Sequence, residues 1–155
     1  MQKALRLCLI LAGGLFLPGC ESEPAEEATD ELPADTVAAA PTISLADIAG
    51  TWNMRSVPES GDTTATVFQL QATADGITLF LPDRDPVVGV VTTSGDRIMV
   101  DAGPFESVRR DGVMVTTNAE YWLEGDRLMG TTVAHYVTTE ADSVLRLRTE
   151  GTRAP

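Results

Sequence analysis

Tyr121-Trp122-Leu123-Glu124-Gly125-Asp126-Arg127-Leu128-Met129 packs the end of one strand, a tight turn and the start of the next strand into nine residues. In an extended chain Tyr121 and Leu123 share one face and Trp122 takes the other. Glu124-Gly125-Asp126 supplies the Gly and Asp that accept the positive φ of a tight hairpin. Ser94-Gly95-Asp96-Arg97-Ile98-Met99 nearly repeats the second half of this stretch, the same hairpin solution used twice. Ala74-Asp75-Gly76 and Asp111-Gly112 also sit between apolar runs.

Working outward, the period stays at two. Trp52 and Met54 alternate with Thr51, Asn53 and Arg55, Phe68 and Leu70 with Val67, Gln69 and Gln71, and Ile77, Leu79 and Leu81 share one face with Thr78 and Phe80 on the other. Val87 to Val91 is apolar on both faces. Ile98 and Val100 follow, then Val113 and Val115, Leu128 to Tyr136, and Val144 to Thr149. Eight to ten short strands at hairpin spacing are predicted, an all-β domain in antiparallel meander order. Such a meander leaves two unpaired edges unless it closes. About eight strands closing into an up-and-down barrel remove both edges. A two-sheet β-sandwich is the alternative.

A helical turn is expected first. Ser44 and Asp47 have capping-box spacing, and Gly50 stops the turn. This turn, then Gly50-Thr51-Trp52 and a strand, resembles the opening of lipocalin-like barrels. The resemblance covers 44–155 in outline and 44–54 in detail. It implies that Trp52 plugs one barrel end and that an arginine of the last strand packs across its ring. Arg146 and Arg148 are the expected partners, with Arg153 following them.

Residues 43–155 form one domain of ordinary size, with sixteen acids against nine arginines and a net charge of about −7. That balance argues against nucleic acid as a partner. The domain contains no cysteine. His135, the single histidine, falls out of phase with Leu128, Gly130 and Ala134 and is expected at the surface. Asp83 and Asp85 lie in a Pro-bounded turn with too few ligands for a metal. No nucleophile elbow, phosphate loop, zinc pair or dinucleotide fingerprint is present. No catalytic residue, cofactor or metal is expected, and the domain is not read as an enzyme. Phe80, Val88, Phe105 and Trp122 lie opposite or outside the assigned core alternation. They are expected either to line the barrel or to form an exposed apolar patch.

The amino terminus is read separately. Lys3 and Arg6 precede an apolar run from Leu7 to Phe16, and Leu17-Pro18-Gly19-Cys20 follows. The run is about half the length needed to span a membrane. This resembles a bacterial lipoprotein signal, which implies that 1–19 are removed and that Cys20 is acylated. A plain secretory signal is the rival, with Leu17-Pro18-Gly19 a poor match to its cleavage site. Cys8 leaves with the signal. Residues 21–42 carry seven acids, three prolines and no base. With Cys20 they are expected to form an acidic disordered tether, spanning about 25 Å as a random coil. Glu21 directly after Cys20 is not the aspartate of inner-membrane retention. The expected address is therefore the cell envelope, at the periplasmic face of the outer membrane or the cell surface.

Two functions fit these expectations. In the first, a membrane-anchored barrel binds a small apolar ligand. In the second, an acidic interaction or inhibitor module meets a basic envelope protein and holds no small molecule.

Overall fold

The computed structural model describes residues 42–139 and 141–155. The expectations for the signal at 1–19, for Cys20 and for nearly all of the tether at 20–42 lie outside the described residues.

Eight strands follow in order: β1 (Gly50–Pro58), β2 (Thr66–Thr73), β3 (Gly76–Phe80), β4 (Val87–Ser94), β5 (Arg97–Glu106), β6 (Met114–Glu124), β7 (Arg127–Tyr136) and β8 (Val144–Arg153). Each pairs antiparallel with its sequence neighbour, and β1 also pairs with β8. The result is a closed all-β up-and-down barrel, so the sandwich alternative falls. Period two sets the inside: Trp52, Met54, Leu70, Ile77, Ile98 and Leu128 are buried. Their sequence neighbours Asn53, Arg55, Gln69 and Gln71 face solvent.

The predicted helical turn is shorter than a helix. Asp47 N–H donates to the Ser44 carbonyl at 3.2 Å and Ala49 N–H to the Ala46 carbonyl at 3.3 Å. Both bonds span three residues, so the segment is two tight turns. The capping pair forms nonetheless. The Asp47 carboxylate accepts from the Ser44 hydroxyl at 2.7 Å and from its backbone N–H at 2.8 Å. Those two bonds, the hydroxyl first, hold the Asp47 carboxyl below the usual carboxylate range.

This turn seals one end of the barrel. Trp52 is fully buried and its indole N–H donates to the Ile48 carbonyl at 2.8 Å. The arginine across its ring is Arg153, 4.4 Å from the ring centroid, and this corrects the expectation for Arg146 and Arg148. The reason is register. β8 extends past Thr149, Trp52 pairs with Arg153, and Arg148 pairs with Val57 near the other end of β1. Arg146 and Arg148 are both exposed. Arg153 also donates to the Ala49 carbonyl at 2.6 Å and the Asp47 carbonyl at 3.0 Å, so it ties the turn over the indole. Gly50 has φ +120°, and a Cβ there would lie 3.2 Å from Arg153 Nη1. Only glycine fits both the dihedral and the guanidinium.

The alternation breaks once, in β5. Ile98, Val100 and Ala102 point inward, and the register with β6 then shifts between Ala102 and Phe105. Gly103, at the shift, has φ +111°, and a Cβ there would lie 2.7 Å from the Val115 carbonyl. This bulge turns Phe105 inward, where it packs against both buried clusters of the barrel. Phe80 and Val88 stay on the outer wall. Trp122 also lies outside, half-buried beneath Arg97, which stands 4.3 Å over its ring.

The Trp52 plug makes a test. Arg153→Ala is expected to cost about 1–2 kcal/mol, through lost cation–π contact and two stranded carbonyls. Arg146→Ala and Arg148→Ala should each stay within about 0.5 kcal/mol of wild type. Urea unfolding followed by tryptophan fluorescence checks the order, and equal losses in all three would refute the assignment.

Candidate functional site

The other end of the barrel is built differently. Four connections surround it: 59–65, 81–86, 107–113 and the described residues 137–139 and 141–143 of the last. Segment 107–113 is internally tied. The Ser107 hydroxyl accepts from the Arg109 and Arg110 N–H groups at 3.0 and 3.1 Å. Ser107 N–H donates to the Val113 carbonyl at 2.8 Å. Gly112 N–H donates to the Glu106 carboxylate at 3.0 Å.

Three arginines fasten this segment to the other three connections. Arg109 reaches 59–65, donating to the Asp62 carboxylate at 2.8 Å, the Thr64 carbonyl at 3.0 Å and the Thr66 hydroxyl at 3.2 Å. Arg110 reaches 137–143, donating to the Asp142 carboxylate at 2.7 Å and its carbonyl at 3.0 Å. The Arg110 guanidinium also stacks 4.0 Å over the Tyr136 ring. Arg84, from 81–86, donates to the Glu106 and Ser107 carbonyls at 3.4 and 3.3 Å. It stands where the β4–β5 ladder has ended, since pairing stops at Gly89 and Ala102. A surface groove of about 490 Å³ opens there. The Asp62 carboxyl is held below the usual range, first by the Thr64 backbone N–H and hydroxyl and then by Arg109.

Beneath this lid lies a cavity of about 90 Å³. Phe68, Leu79, Phe105, Val115, Tyr136 and Leu147 form much of its wall. Among the described residues that line it, Arg109 alone carries a formal charge. Ser56, Thr117 and Thr132 add hydroxyls. Ser56 bonds Thr149 across the β1–β8 seam. No buried side-chain nitrogen or oxygen among the described residues lacks a partner. An apolar cavity of about 150 Å³ holds benzene, so this one takes about three or four non-hydrogen atoms. The wall is largely apolar.

The residues singled out beforehand scatter relative to this cavity. Gly50 and Trp52 belong to the opposite, sealed end. Arg146, Arg148 and His135 sit on the outer surface. Asp83 and Asp85 stay in their turn, and no group of three or more metal-ligating side chains converges among the described residues. Arg84, Arg109 and Arg110 were not anticipated. The Arg109-Arg110 pair was a visible signal in a chain with few bases, but nothing local says which loops a guanidinium will reach. No helix among the described residues is long and apolar enough to cross a membrane.

No protein-family model, curated protein or solved structure matches the chain.

Tyr121, at the cavity wall, carries a pH prediction. Burial pushes its phenol up to about 12, against a smaller opposing effect of its bond with Thr132. The folded state therefore favours the neutral phenol. Its contribution is whole below pH 10, where the unfolded phenol is also neutral, and is lost as pH rises through about 12. Two units correspond to about 3 kcal/mol. Urea midpoints should fall over that window, and Tyr121→Phe should flatten the fall. An unchanged slope in the variant would remove Tyr121 as its cause.

Proposed function

We propose that the chain is an envelope lipoprotein, acylated at Cys20 and tethered by 20–42, whose lipocalin-like barrel binds a small apolar ligand. The observation that carries the binding half is the apolar cavity of about 90 Å³ at the lidded end. The anchor half rests on the resemblance of residues 1–20 to a lipoprotein signal. The outer membrane's periplasmic face or the cell surface is the favoured address. No catalytic role, cofactor, metal or nucleic acid enters this reading.

A ligand on the scale of the cavity is a slender one. A bulkier molecule would extend beyond the cavity toward the arginine-tied connections. Burying three or four apolar carbons contributes about 2–3 kcal/mol, so an unaided ligand binds in the millimolar range.

A second reading has its own observation. The outer wall of β2, β3 and β4 carries no charged side chain facing solvent, and Val67, Phe80, Val88 and Val90 are exposed there. Val88 and Val90 are more than two-thirds exposed. With a net charge of −12 over the chain, this suits an interaction or inhibitor module facing a basic envelope protein.

Ala134→Leu separates the two. The three added carbons occupy most of the cavity while the fold is retained, because filling a void seldom destabilises. Methyl NMR of the wild-type chain with 1-pentanol should shift Val115, Ala134 and Leu147, and the variant should not respond. Wild-type methyls indifferent both to the alcohol and to its acid counterpart, sodium pentanoate, would reject the ligand reading. The interaction reading instead predicts that a basic protein such as a lysozyme binds both forms equally at low salt. For the anchor, incorporation of labelled fatty acid should vanish in Cys20→Ala, and equal label in both forms would defeat it.

A further inference from the structure

We infer that the barrel selects a short alkyl carboxylate, with the apolar chain in the cavity and the carboxylate on Arg109, and that Asp62 is an internal stand-in for that carboxylate. The inference rests on the ligand-binding reading above and adds the ligand's charge and the group that meets it.

Arg109 lines the cavity and its side chain is 19% exposed, so its charge lies beside an apolar space. It is the charged member of a wall otherwise apolar or hydroxylic. In a chain with 23 acids and 11 bases, a lone cation is the less expected sign at that position. Its Nη2 already holds a carboxylate, that of Asp62, at 2.8 Å. That pairing uses one nitrogen. Nη1 is spent on neutral acceptors, the Thr64 carbonyl and the Thr66 hydroxyl. Guanidinium and carboxylate pair best through two parallel bonds. A ligand carboxylate that displaces Asp62 can pair side-on with Nη2 and Nε and leave Nη1 on Thr64 and Thr66.

Asp62 is suited to leave. Its side chain is about half exposed, so release returns its carboxylate to water. Its bond from the Thr64 N–H, at 2.8 Å, lies within its own connection and survives the exchange. The lid therefore need not come apart, because Arg110 and Arg84 keep their own ties to 137–143 and to the end of β5. Uncharged ligands of equal length gain the cavity contacts alone. The cavity has room for about three or four carbons, which sets the chain at about the length of pentanoate.

The test compares sodium pentanoate with 1-pentanol on the whole chain, read by amide and methyl NMR shifts at constant ionic strength. Pentanoate is expected to bind about tenfold more tightly than the alcohol, as a charge-assisted pair implies. Arg109→Gln should erase that preference while leaving alcohol binding in place. Asp62→Asn, which removes the stand-in and keeps Arg109, should tighten pentanoate several-fold and leave the alcohol unchanged. Retained shift dispersion shows that each variant is folded. Equal affinities for acid and alcohol, in wild type and Asp62→Asn alike, would overturn this inference and leave the ligand-binding reading intact. Absence of binding by both compounds to all three proteins would overturn that reading as well.

Discussion

The seam between β1 and β8 joins Ser56 to Thr149, 93 positions apart in sequence, through a buried hydroxyl pair. All the other ladders link neighbours in sequence and form from local hairpins. This one must be closed over the whole length of the domain, and it leaves no open sheet edge when it is. Its register decides what stands at each end. It sets Trp52 beside Arg153, and it runs β1 on to Pro58 beyond the last pair with β2. The sealed end and the lidded end both depend on that one alignment.

The two ends solve the same problem with different means. At the sealed end a large apolar side chain fills the barrel, and Arg153 covers it while satisfying the turn's carbonyls. At the lidded end the strands diverge. β3 and β4 share three residue pairs, and β4 leaves β5 at Gly89. Apolar filling falls short there and a cavity remains. The gap is spanned by guanidinium groups. Arginine suits this work because its fork donates several bonds while its flat face stacks on an aromatic ring. Among the described residues Arg97, Arg110 and Arg153 all stack in this way, on Trp122, Tyr136 and Trp52. A lysine could supply the charge but neither the fork nor the flat face.

A sheet stabilised in this way separates rigidity from access. The tightly filled half holds the walls in place, and the arginine-tied half carries the connections. Exposed ion pairs contribute little each, so the lid is held by a set of modest bonds rather than one strong one.

Much of the architecture was legible in residue order. Gly and Asp at regular intervals marked the hairpins, and the alternation around Trp52, Leu70, Ile77 and Leu128 named the inner face, because turn dihedrals and side-chain parity are local properties. Phe105, left between barrel lining and outer patch by the alternation, lines the barrel, since a bulge at Gly103 inverts the count and the need for it arises from the backbone of Val115 across the ladder. Arg153 was passed over for Arg146 and Arg148 because the last strand appeared to end at Thr149. Pairing with β7 as far as Thr152 and with β1 as far as Arg153 carries it further. By itself, then, the sequence determined the strand class, the hairpin order and the inner face, all from spacings of two to four residues. The tertiary structure alone decided the closing register, the arginine on Trp52, and the lid and cavity. Those depend on contacts between residues tens of positions apart, and no local pattern encodes which side chains closure will bring together.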